Sequence, residues 1–196
     1  MKSHVVWIAA LTAALLVGCS GAGNLTINEV GANGSDFVEL YNGGDRPVTL
    51  KAGEWSIKSG EKMDKAFVFP EKDLKVSAKA FVLIIAPPDI EDDGSVEDWE
   101  LPTLGNNISN VSADALVITT PGENKQTGED PADCMSVDDS GDTLTLMHGS
   151  KVIAVLETPE IPEGDPEGVY TYGSFPDGSD THSNQLTATP GSANKR

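Results

Sequence analysis

Two glutamates, Glu29 and Glu39, stand ten positions apart in the stretch INEVGANGSDFVELYN at 27–42. Carboxylates brought face to face can share a proton and do general acid–base work, whereas carboxylates on opposite faces of a sheet cannot. Other groups with chemical potential are scattered along the chain. Asp180-Thr181-His182-Ser183 contains the residue types of a nucleophilic triad. Glu91-Asp92-Asp93-Gly94 and Asp138-Asp139-Ser140-Gly141-Asp142 offer oxygen ligands to a hard cation. Cys19, Cys134, His148 and His182 are candidate soft donors.

The register of the first hairpin decides the glutamate question. If Asn33-Gly34 forms a two-residue type I′ turn, opposed residue numbers sum to 67. Ile27 then faces Leu40, Glu29 faces Val38, Val30 faces Phe37, and Asn28 faces Glu39. Ile27, Val38 and Leu40 share a core face, and Glu39 lies on the other with Val30, Phe37 and Tyr41. A longer loop centred on Gly34 makes the sum 68 and sets Glu29 against Glu39, which juxtaposes like charges. A slip of one residue exchanges the faces, so one register is expected to hold. Asn-Gly is the strongest short hairpin signal, which favours the 67 register, with the glutamates on opposite faces. Glu39 then accepts hydrogen bonds from backbone or from Asn28, and no catalytic residue is assigned.

The remaining candidates are weaker. The acidic runs lack the Asp-x-Asp-x-Asp-Gly spacing and closing Glu of an EF-hand, so solvated loops are the plainer reading. If calcium binds, Asp138, Asp139 and Asp142 are its expected ligands, and no other cofactor is implied. Two histidines after the leader and one lone cysteine make no closed zinc set. Adjacent residues such as those at 180–183 rarely converge on one substrate atom, and no Gly-x-Ser-x-Gly elbow is present. His182 reads instead as a surface turn residue. Cys134 sits among acids that disfavour a thiolate. Trp99, in Glu97-Asp98-Trp99-Glu100, is a candidate recognition residue if exposed, or a pin for its loop if buried.

These residues must be carried by β-structure. Short β-rich runs recur at 25–30, 36–41, 47–50, 55–57, 66–69, 80–85, 115–120, 142–147 and 151–157, with turn chemistry between them. No stretch sustains a 3.6-residue apolar period, so the expectation is an all-β antiparallel sandwich with Trp55, Phe67, Phe69 and Phe81 in its core. Acidic, strand-poor segments at about 86–114 and 121–139 read as long loop insertions. A chain of 196 residues carrying 13 basic and 31 acidic side chains, net charge -18, repels phosphate backbones, so no nucleic-acid partner is expected.

The N-terminus reads as an export signal. MKSH precedes the apolar run VVWIAALTAALLV at 5–17, which is too short for a permanent span. Leu16-Val17-Gly18-Cys19 resembles the lipobox of bacterial lipoproteins, in which the peptide is cut between Gly18 and Cys19 and the cysteine is acylated, for example with palmitate. An ordinary secretory peptide with a chance cysteine is the competing reading. The expected organisation is a removed signal at 1–18, a lipidated cysteine and tether at 19–24, and one β-domain at 25–196. Acylation of Cys19 leaves Cys134 with no disulfide partner. Ser20 after the cysteine fits outer-membrane sorting in a Gram-negative envelope.

The ordered runs Ile27–Val30, Phe37–Asn42, Val48 with Leu50, Trp55 with Ile57, Gly141–Leu146, Tyr172–Gly178 and Ala188–Asn194 together resemble the lamin tail domain of secreted bacterial proteins. Ser174 and His182 depart from that pattern, which puts in doubt any shared ligand contact there. The resemblance implies an immunoglobulin-like β-sandwich acting as an interaction module rather than a catalyst. The function expected is binding or scaffolding at a cell envelope, with the membrane and an unknown protein or polysaccharide as partners. A calcium-dependent adhesion or carbohydrate-binding module using the acidic loops, and an envelope hydrolase or its accessory, are the alternatives.

Overall fold

The computed structural model describes residues 24–31, 36–60, 66–85, 114–119, 137–138, 140–160, 171–184, 189 and 191–195. These residues form twelve strands and no helix: β1 (Leu25–Gly31), β2 (Phe37–Asn42), β3 (Val48–Leu50), β4 (Trp55–Lys58), β5 (Ala66–Phe69), β6 (Leu74–Val76), β7 (Phe81–Ile85), β8 (Leu116–Thr119), β9 (Thr143–His148), β10 (Lys151–Glu157), β11 (Thr171–Ser174) and β12 (His182–Ser183). A six-stranded sheet runs in the order β12-β11-β1-β2-β7-β8, a four-stranded sheet in the order β10-β9-β4-β5, and β3 pairs with β6.

Alternation explains why these segments are strands. In β4, β5 and β9 the inward residues Trp55, Ile57, Phe67, Phe69, Leu144 and Leu146 are buried, while Val68 between them is 51% exposed. They join Ile27, Val30, Val38, Leu40, Val82 and Ile84 of the large sheet, and Leu50 and Val76 of the small one, in one apolar cluster. Burying such side chains contributes about 1.5–3 kcal/mol each. Phe81, expected in this core, is half-buried and packs on Tyr41 at a ring separation of 4.9 Å.

Among the described strands every pairing is antiparallel except one. β8 lies parallel to β7, with Val82 opposite Leu116 and Ile85 opposite Thr119. An all-antiparallel arrangement does not hold at this edge because the connection, residues 86–115, is long enough for the crossover that parallel strands require.

The first hairpin differs from expectation in a way that creates the site. Leu25, Thr26 and Ile27 pair with Asn42, Tyr41 and Leu40, the 67 register. Beyond them Glu29 pairs with Glu39, Val30 with Val38 and Gly31 with Phe37, the 68 register, and the shift falls between Ile27 and Glu29. Both registers hold, joined by a β-bulge with Asn28 as the extra residue. The last pair of the 68 register is Gly31 with Phe37, and Asn33-Gly34 lies outside the described residues.

Candidate functional site

The bulge rewrites which side chains share a face. Ile27 and Val30 point into the core cluster, whereas Asn28 and Glu29 are consecutive on the opposite face, beside Glu39. Thus Glu29 and Glu39 are directly opposed rather than on opposite faces, and Val30 belongs to the core side. Regular alternation would have driven the Glu29 carboxyl in among Ile27, Val38 and Leu40; one inserted residue turns it away.

Neither carboxyl reaches solvent. Asn28, Glu29 and Glu39 are all 0% exposed. The Asn28 amide uses both of its donors, through Nδ2 to Glu39 Oε1 (2.8 Å) and Asp177 Oδ1 (3.0 Å), while its Oδ1 accepts from Gly178 N (2.9 Å). The C-terminal residues lie over the pair. Thr189 N donates to Glu29 Oε1 (3.3 Å), Gly191 N donates to Glu39 Oε2, and Asn194 N donates to Asp177 Oδ1 (3.0 Å). Asn194 Nδ2 reaches the carbonyls of Ser174 (2.7 Å) and Asn28 (3.4 Å).

Gly173, the residue of β11 opposite Glu29, permits this closeness: a Cβ there would sit 2.2 Å from the Asn28 carbonyl oxygen. A side chain at that position would hold β11 away from the bulge.

Burial raises the Glu29 carboxyl to about 7, against the downward pull of the Thr189 amide and the Thr171 and Thr189 side chains, with Asp177 adding a little upward. Burial also holds Glu39 well above the carboxylate range, reinforced by the charge of Glu29 and opposed by its bonds from Asn28 and Gly191. The two face each other and titrate as a coupled pair, both displaced upward.

Other candidate residues are placed apart from this pair. Asp138 Oδ1 accepts from Ser140 N and Oγ (2.7 Å each), and Asp142 Oδ1 accepts from Gly60 N (2.7 Å) and Thr143 N (2.6 Å). These carboxylates organise their own loop beside an open cavity of about 490 Å³ that Asp142, Thr143 and Glu157 help to line. Among the described residues no group of three or more His, Cys, Asp or Glu is placed to hold a metal ion. His182 is exposed in the short strand β12 and tilts against Tyr172 at 5.7 Å, rather than occupying a turn. His148 stacks on Trp55 at 4.6 Å with Nε2 3.0 Å from Glu54 Oε2. Gly18, Cys19, Trp99, Cys134 and Asp139 lie outside the described residues.

The sequence allowed this pairing as the less favoured register, although a signal for it was present. Ile27-Asn28-Glu29-Val30 reads apolar-polar-polar-apolar, a break in period two that marks a bulge inside an otherwise alternating strand. The contribution of Thr189, Gly191 and Asn194 had no local signal, since they lie more than 150 residues away.

The all-β fold, with its opening hairpin bulged around a buried polar clasp, supports a binding or scaffolding module. Residues 19–159, more than half the chain, match the Lamin Tail Domain, and the chain belongs to that family. No curated protein matches it. The lamin tail domain is a non-catalytic module. The matched span ends before β11 and β12, yet β11 pairs directly with β1 and the residues beyond it complete the clasp.

Proposed function

We propose that this chain is a lipid-anchored display module: a lamin-tail β-domain of immunoglobulin-like sandwich form, held at a bacterial envelope through acylated Cys19, that binds a protein or polysaccharide partner. The observation that carries the anchor is the coincidence of an apolar run at 5–17 with Leu16-Val17-Gly18-Cys19 at its end. The family match begins at Cys19, and the first described strand starts at Leu25. Each buried methylene contributes about 0.8 kcal/mol, so two or more acyl chains suffice for stable attachment.

The binding half of the proposal draws on the polar cluster being internally satisfied. Asn28, Asp177 and Asn194 bond one another and the chain backbone, which leaves partner recognition to the outer surfaces. In cells fed an alkyne-bearing palmitate analogue, the wild-type chain should take up label and partition into detergent, whereas Cys19→Ser should do neither. An unlabelled wild-type chain recovered from the medium would overturn the anchor.

A further inference from the structure

We infer that Thr189, Gly191 and Asn194 form a proton-dependent latch, closed while the Glu29–Glu39 pair carries a proton and loosened when the pair is fully ionised. The geometry supplies the first reason. The Thr189 hydroxyl owns one hydrogen, yet it faces Asn194 Oδ1 at 3.0 Å and Glu29 Oε2 at 3.3 Å. Asn194 cannot turn its amide round, because Nδ2 already faces the carbonyls of Ser174 and Asn28. With Glu29 ionised, two acceptors compete for one hydrogen. With Glu29 protonated, Oε2–H donates to Thr189 Oγ1, which donates to Asn194 Oδ1, and the chain of hydrogen bonds closes.

Electrostatics supplies the second. The charged groups facing the pair from β1, β2 and the residues after β11 are Glu29, Glu39 and Asp177, all acidic. The contacts that the closed segment makes with the carboxyls come from backbone amides and a hydroxyl, and its described cation, Lys195, is exposed. Amide donors favour a carboxylate, but they do not replace the hydration that two buried charges lose. Lifting the segment restores water to both, so the closed form holds more protons than the open form and must weaken as pH rises. The raised Glu29 carboxyl sets the working range near neutrality.

The latch is independent of the lipid anchor. The test is amide hydrogen exchange of the full chain from pH 5.5 to 8.5, corrected for intrinsic rates, with Gly191 as the latch reporter and Leu40 and Leu146 as core reporters. Gly191 protection should fall above pH 7 by up to about tenfold per pH unit for each proton released, while the core amides stay protected. Glu29→Gln, which keeps one acceptor and adds a donor toward Thr189, should hold Gly191 protected at pH 8.5. Equal Gly191 protection at both pH extremes would overturn the latch, as would loss in step with Leu40 or a Glu29→Gln chain that opens like wild type. Should that variant fail to fold, carbon-13 titration of the wild-type side chains decides: a Glu29 midpoint near 7 supports the latch, and one near 4.5 sinks it.

Discussion

Replacing Glu29 by glutamine should make the protein more stable at alkaline pH, against the usual rule that altering a buried, hydrogen-bonded residue weakens a fold. The folded chain holds the Glu29 carboxyl at about 7, against an ordinary 4.5. Between those values the native state binds more protons than the unfolded state, so ∂ΔG/∂pH is negative. The favourable contribution is complete below pH 4.5 and is lost as pH rises through 7. Each tenfold difference in proton affinity between the folded and unfolded chain is worth about 1.4 kcal/mol, so the loss from Glu29 alone approaches about 3 kcal/mol. Glu39 is displaced in the same direction and steepens the decline. Lifting of the C-terminal residues limits the loss, because it rehydrates both acids. Urea unfolding at pH 5, 6, 7 and 8, followed by the fluorescence of buried Trp55, measures the effect. Wild type should lose stability steadily from pH 5 to 8. Glu29→Gln should match it at pH 5, decline less, and exceed it at pH 8 by up to about 3 kcal/mol. A wild-type curve that is flat or rises between pH 5 and 7 refutes the reasoning, and so does a variant that parallels it.

Asn28→Ala removes donors from Glu39 and Asp177 and an acceptor from Gly178 N, leaving the buried Glu39 carboxyl without its Asn28 donor. The expected cost is about 3 kcal/mol, read as a lower urea midpoint with an unchanged m-value. Gly173→Ala sets a Cβ against the Asn28 carbonyl at a distance only backbone movement can relieve, so it should cost about 1–3 kcal/mol in the same assay. It should also raise hydrogen exchange in β11 while leaving β9 protected.

Much of the fold was legible because burial imposes period two. The apolar runs at 25–30, 66–69 and 151–157 became β1, β5 and β10 within a residue of their expected limits. The strands that escaped lack that pattern. β6 is three residues with Lys75 at its centre, β11 is Thr171-Tyr172-Gly173-Ser174, and β12 is two residues. Their pairing with neighbours already in place makes them strands, and a sequence window does not contain those neighbours. The expected hairpin register holds from Leu25 to Ile27 and fails beyond Asn28 for a related reason. Asn33-Gly34 is a local preference, whereas the shift at Asn28 follows from keeping Ile27 and Val30 in the core while their intervening polar residues face the clasp.

The acids do more than confer pH dependence; they define which strand pairing is possible. In an unbroken 67 register Glu29 would share a face with Ile27, Val38 and Leu40, burying a carboxyl where the core cluster offers only apolar side chains. That penalty is several kcal/mol for an unpaired acid, far more than a bulge costs, so the alternative pairing is suppressed. A valine at position 29 would remove the penalty and let both registers compete. The buried pair therefore selects one hairpin, and the hairpin presents the pair to the amides of Thr189 and Gly191. Fixing the first two strands and fastening the end of the domain are a single set of hydrogen bonds. This is why residues of the opening Ile-Asn-Glu-Val, the Pro-Asp-Gly at 176–178 and Asn194 meet at one place although they lie at opposite ends of the sequence.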